Sequence, residues 1–150
     1  MRKYFVALLA VVFGAGLVSI GFAAPSAKPT IVMAGKEHWM PGTGMLKGSQ
    51  IAVVYGDPSK PGLYVIQLKI PANTTYPPHY HGEDENVTVL SGTIWVGLGD
   101  KIEPKKMVAL GAGSFGSIPA NVHHYAMTKV PTIIEITSVG PRTMIAVKKR

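Results

Sequence analysis

Apolar residues recur at every second position in short runs along most of this chain, and turn-forming residues separate the runs. LYVIQLKI (Leu63–Ile70) sets Tyr64, Ile66, Leu68 and Ile70 on one face and Gln67 and Lys69 on the other, the period of a half-buried strand. IAVVY (Ile51–Tyr55) precedes it, and GDPSKPG between the two combines Asp-Pro and Pro-Gly turn signals. PANTTYPP breaks the pattern. ENVTVLSG and TIWVGLGD follow, joined by a turn at Ser91-Gly92, and then come MVALGAG, SFGSIP, HHYAMTK, TIIEITSVG and TMIAVKK. No window has sustained helical periodicity with caps. Many short strands with regular turn signals predict an all-β sandwich or barrel. LGAGSFG is glycine-rich but leads into a strand, so a phosphate cradle, which needs a helix behind it, is excluded. Gly111 and Gly113 are read as a tight turn.

The two ends depart from this pattern. MRKYFVALLAVVFGAGLVSIGFAA starts with Arg2 and Lys3, runs apolar from Tyr4 to Ile20, and ends in small residues. That is the layout of a secretory signal peptide cut after Ala23; the competing reading is a retained membrane anchor. Residues 24–49, rich in Ala, Pro, Gly and Met, predict an irregular lead-in with one short strand at Thr30–Met33. Residues 50–150 then form a single domain. The predicted location is exported, periplasmic or extracellular, with no membrane association after cleavage.

Composition narrows the chemistry. The chain of 150 residues has a formal net charge of +7 and no cysteine. Its basic residues are scattered except for Lys148-Lys149-Arg150, and no basic stripe interleaved with aromatics marks a nucleic-acid surface. Thiolate metal sites, iron–sulfur clusters and cysteine nucleophiles are excluded. Any metal must bind through nitrogen and oxygen.

HYHGEDE supplies both kinds of donor. His79, His81 and Glu85 share parity, so an extended backbone across 79–85 would point all three the same way, while Glu83 turns out to solvent. Two imidazoles and a carboxylate suit iron(II), manganese, nickel, copper or zinc. An HxH pair alone is as easily a solvated strand edge. SIPANVHHYAM adds His123 and His124 in apolar surroundings, where a buried imidazole needs a partner.

These two segments resemble the two motifs of the cupin superfamily. The first reads glycine, five residues, His-x-His, three or four residues, Glu, six residues, Gly; Asn73, His79-Tyr80-His81, Glu85 and Gly92 stand at those places. The second has the core Pro-x-Gly-x-x-His, matched by Pro119, Asn121 and His124. Asn73 and Asn121 replace the usual glycines, and asparagine tolerates the left-handed conformations of turns. The resemblance covers about residues 50–145. It implies a double-stranded β-helix, or jelly-roll barrel, with His79, His81, Glu85 and His124 around one divalent transition metal (iron, manganese, zinc or nickel). It also implies a homodimer, with Ile51–Tyr55 and Thr143–Val147 as the expected pairing edges.

What such a site does depends on its walls. Three readings stand open: a small-molecule enzyme of the dioxygenase-like, isomerase or lyase kind; a metal-dependent module that binds or senses a small ligand; and a structural zinc site. For an enzyme, Glu85 is the candidate base, and His123, Gln67 and Tyr125 are candidates to stand behind the ligands. His123 is read mainly as a surface residue, because alternation turns it away from His124. Tyr76, Tyr125 and Trp95 are candidates to wall the cavity, and His38 and Trp39 to cover its mouth or pack outside.

Overall fold

The computed structural model describes residues 28–148. The signal peptide or anchor, with its cut after Ala23, lies outside the described residues. Eleven strands run in chain order: β1 Met40–Pro41, β2 Gln50–Tyr55, β3 Gly62–Ile70, β4 Thr75–Tyr80, β5 Glu85–Ser91, β6 Thr93–Leu98, β7 Val108–Gly111, β8 Phe115–Ile118, β9 His124–Thr128, β10 Thr132–Gly140 and β11 Ile145–Ala146. They form two antiparallel sheets, ordered β1-β2-β3-β10-β5-β8 and β11-β4-β9-β6-β7. From β3 onward the chain crosses to the other sheet at every step except β6 to β7, so the two layers make a jelly-roll sandwich.

Alternation decides the core. On β3, Tyr64, Ile66, Leu68 and Ile70 are buried, as their spacing predicts, and Ile134 and Ile136 on β10 face the same interior. Val87, Val89, Ile94, Tyr76 and Ala126 complete the cluster from β5, β6, β4 and β9. Burying a large aliphatic side chain contributes roughly 1.5–3 kcal/mol, and a domain without disulfides has this core to rely on.

Three expectations are corrected. Thr30–Met33 is not a strand. The lead-in is not wholly outside the domain either: a 3-10 turn at Gly44–Leu46 buries Leu46 in the core, and Ser49 Oγ lies 2.6 Å from Tyr76 Oη. Finally, TYPPHY is strand rather than a break. The β4–β9 ladder is irregular between Tyr76 and His79, where Pro77 and Pro78 fall, so neither missing N–H interrupts a regular pairing.

The turn residues behave as expected. Asn73 and Asn121 have φ of 57° and 63°, the left-handed values for which their motifs use glycine. Ser114 N–H donates to Gly111 O at 3.0 Å across the Gly111–Gly113 turn.

Candidate metal centre

His79 and His124 face each other across the β4–β9 ladder, with ring centroids 4.2 Å apart. His81 follows β4 directly. Its ring lies 5.2 Å from His79 and 5.3 Å from His124. All three rings are buried, and each offers a nitrogen within 4.8 Å of the other two. Glu85 opens β5 in the opposite sheet and reaches across. One carboxylate oxygen is 3.4 Å from His81 Nε2 and the other 3.4 Å from His124 Nε2.

The four residues therefore meet, but not by the route that parity suggests. The chain does not stay extended from His79 to Glu85. It bends at Gly82–Glu83 and passes from one sheet to the other. Glu83 turns away from the cluster, as expected, yet is not free in solvent: its oxygens accept from Thr143 N–H at 2.7 Å and Thr143 Oγ1 at 2.8 Å. Asn121 N–H donates to His81 O at 2.7 Å and Ala120 N–H to Asp84 Oδ1 at 2.8 Å. Those bonds tie the two motif segments together.

Each imidazole is oriented by its other nitrogen. Nδ1 of His79 lies 2.7 Å from Pro77 O, Nδ1 of His124 lies 3.0 Å from Val122 O, and Nδ1 of His81 bonds Thr143 O. A carbonyl only accepts, so every Nδ1 carries a proton and Nε2 is the atom each ring turns toward the centre; a bound ion would take the place of any proton there. Metal-binding histidines are held in this way. Nε2 of His81 is buried with no hydrogen-bond partner, a costly state for a polar atom that an ion would relieve. Donors about 2.1 Å from one ion lie about 3.0–3.4 Å apart at right-angled to tetrahedral geometry, and the two Glu85 contacts fit that spacing. The residues present thus fit a divalent ion taking nitrogen and oxygen.

Charge at the site is set by its closeness. Burial lowers the His79 pKa to about 4, and His124 and His81 add to the effect. Burial, the largest single effect, opposes charge on Glu85 and His124, but their hydrogen bond and attraction to each other, joined for Glu85 by the nearby His81 and Arg142 and for His124 by the Val122 carbonyl, together outweigh it; Glu85 is lowered and His124 raised.

The cavity beside the cluster is small, about 40 Å³. Apolar side chains of both sheets and Tyr76 line it, together with Arg142 and Met144 from the segment after β10. Of the aromatic candidates only Tyr76 reaches it. Tyr125 points to the outer side of its sheet, where Glu103 N–H donates to its hydroxyl at 2.9 Å, and a Cβ on Gly97 would meet its ring at 2.4 Å. Trp95 faces out under Lys129, and Trp39 packs outside against Lys69. Gln67 is also outside the site, donating to Glu135 Oε2 at 2.9 Å on the outer face of β3. His123 stacks on Tyr80 and pairs with Asp100 at 2.6 Å on the surface, as its alternation with His124 dictates. Gln67, His123 and Tyr125 do not stand behind the ligands. Thr143 does, and Arg142 joins the cavity. Neither is visible in a motif, although Arg142 is the sole arginine between Lys3 and Lys149.

No family model and no curated protein matches the sequence. Solved structures do match the fold. An RmlC-like cupin from Shewanella frigidimarina aligns at TM-score 0.58 and 15% identity, over 75% of this chain and 91% of that one. A putative acetylacetone dioxygenase from Methylibium petroleiphilum aligns at 0.63 and 20%, over 83% and 85%. The polyketide cyclase RemF from Streptomyces resistomycificus aligns at 0.64 and 17%, over 82% and 88%. The described chain is a small domain with the cupin fold.

Proposed function

We propose that the chain is an exported metal-dependent enzyme acting on a small molecule, of the dioxygenase-like or isomerase and lyase kind, with His79, His81, Glu85 and His124 as its metal ligands. One observation carries this reading: three buried imidazoles turn their Nε2 atoms to one region, each held by an Nδ1–H bond to a carbonyl. The fold neighbours named a dioxygenase and a cyclase support small-molecule chemistry.

A bound iron, manganese, zinc or nickel ion would supply Lewis acidity and open coordination places for a ligand's oxygen atoms. The chain's own residues do the rest. The Nδ1–H bonds keep the imidazoles in one tautomer and one orientation. Glu85 is the sole carboxylate lining the cavity, which makes it the candidate proton acceptor. The apolar walls from Leu68, Val87, Ile94 and Ile136 exclude water, which strengthens every electrostatic contact inside.

A second reading, a module that binds a small ligand without turnover, is favoured by the absence of Gln67, His123 and Tyr125 from the site. No proton donor is left there apart from the ligands, Arg142 and a Tyr76 hydroxyl engaged by Ser49. Elemental analysis of the purified protein, followed by oxygen-uptake and product assays on small enols, catechols and thiols, separates the readings. About one metal per chain with turnover is expected. Full metal content with a bound ligand and no turnover establishes the module. Tightly held zinc without exchangeable water makes the site structural.

Export rests on the N-terminal pattern, and the intact mass of the secreted chain tests the cut after Ala23. A homodimer is proposed from the fold. β11 is a sheet edge as expected, whereas β1 covers Gln50 and Ile51 of β2 and leaves only Ala52–Tyr55 open. A monomer by light scattering at high micromolar concentration would overturn the dimer.

A further inference from the structure

Arg142 is the cavity residue that the metal reading does not use. It lies just beyond β10 and is positioned by the backbone, with its N–H donating to Pro58 O at 2.7 Å. Thr143 beside it is locked to Gly82, Glu83 and His81. The side chain lines the same cavity as His79, Glu85 and His124, and its Nε is buried without a hydrogen-bond partner. Among the described residues it forms no ion pair. Glu83 is committed to Thr143. With a divalent ion in place, the cavity would hold three positive charges against the single carboxylate of Glu85. Arg142 is half-buried, charge of one sign held partly out of water favours a counter-ion, and a guanidinium offers a planar fork that matches a carboxylate.

The cavity itself has no room for an organic molecule, but a second one adjoins it. Val87, Val96 and Ile118 line both. The second cavity measures about 220 Å³ and is completed by Leu98, Val108, Leu110, Gly116 and Ser117, with no charged side chain in its lining. That is below the size of sites for drug-sized ligands, and apolar.

We propose that Arg142 is the anion-binding residue of the centre and that its ligand is a small monocarboxylate whose apolar remainder occupies the neighbouring chamber. The proposal rests on the metal reading above and names the ligand class for it. Calorimetric titration of the metal-loaded protein with butanoate, and with neutral butanamide as control, tests it. Saturable butanoate binding is expected for the wild type, about tenfold or more weaker for Arg142→Gln, intermediate for Arg142→Lys, and absent for butanamide. Both variants should keep the wild-type metal content and circular dichroism, because Arg142 is not a ligand. Gly116→Val has room for its Cβ, which would meet only Leu110 Cδ1 at 3.4 Å; it should weaken butanoate while leaving acetate unchanged. Equal butanoate affinity in wild type and Arg142→Gln, or no binding by fully metallated wild type, would overturn the role of Arg142. Unchanged butanoate affinity in Gly116→Val would overturn the placement of the tail. A wild type that takes up no metal sinks the metal reading instead, and the same titration on that protein still reads the Arg142 dependence.

Discussion

At the scale of single residues, the metal reading makes His81 decisive. Its Nε2 is the one histidine nitrogen among the described residues that is buried with no hydrogen-bond partner, and its Nδ1 is already spent on Thr143 O. His81→Ala should abolish metal binding and leave the domain folded, as read by elemental analysis and far-UV circular dichroism; full metal content in the variant would show that the ligand set is wrong. His79 adds a pH signature in the metal-free protein. The unfolded chain takes up its proton below about 6.5, whereas burial keeps the folded ring neutral down to about 4. The unfolded state therefore binds more protons in that window, and stability is lost as pH falls through it. Melting temperatures of the metal-free wild type should drop more between pH 7 and pH 5 than those of His79→Gln; parallel drops would assign the effect elsewhere. The four ligand candidates were legible because each motif places them at fixed spacing around a turn. Shared parity does not explain how Glu85 joins the imidazoles, since the chain changes sheet at Gly82–Glu83. Arg142 was not legible, because only a long-range pairing brings its segment to the cavity.

At the scale of elements, β2, β3, β5, β6, β9 and β10 were legible as short apolar runs bounded by turn signals, with clean alternation on β3, where one face meets the core. β4 was not, since two prolines conceal it, and the irregular pairing that admits them is a tertiary fact. β11 shrinks to two residues but has the larger consequence. It pairs with Tyr80 and His79 at the edge of the sheet, and the adjacent Thr143 bonds three consecutive residues, His81, Gly82 and Glu83. The strap thus orients a proposed ligand from outside. Thr143→Val removes the hydroxyl that accepts from Gly82 N–H at 2.6 Å and donates to Glu83 at 2.8 Å. The expected cost is about 1–3 kcal/mol of stability and roughly 10–100-fold in metal affinity, measured by denaturation and by competition with a chromophoric chelator. Affinity at the wild-type level would mean that the strap holds the sheet edge without orienting His81.

At the scale of the whole molecule, the question is whether metal or core holds the fold. Small metal-folded domains lack a core and unfold when the ion is removed. Here the buried cluster runs from Leu46 and Tyr64 through Ile66, Leu68, Ile134 and Ile136 and draws on both sheets, while the histidines occupy one region of the interior. A core of apolar contacts that form without the ion, even where Leu68, Val87, Ile94 and Ile136 also wall its cavity, means that the ion should add to stability only as a ligand does, in proportion to the logarithm of its concentration over its dissociation constant. Removing it with a chelator should therefore leave the β-sheet spectrum intact, lower the melting temperature, and allow that temperature to rise again as metal is titrated back. Loss of the β signal on chelation would make the centre part of the folding nucleus, and a structural ion would then fit better than an open one. Retention of the fold with a metal-dependent melting temperature is the behaviour required of a site whose ion must stay accessible to a ligand.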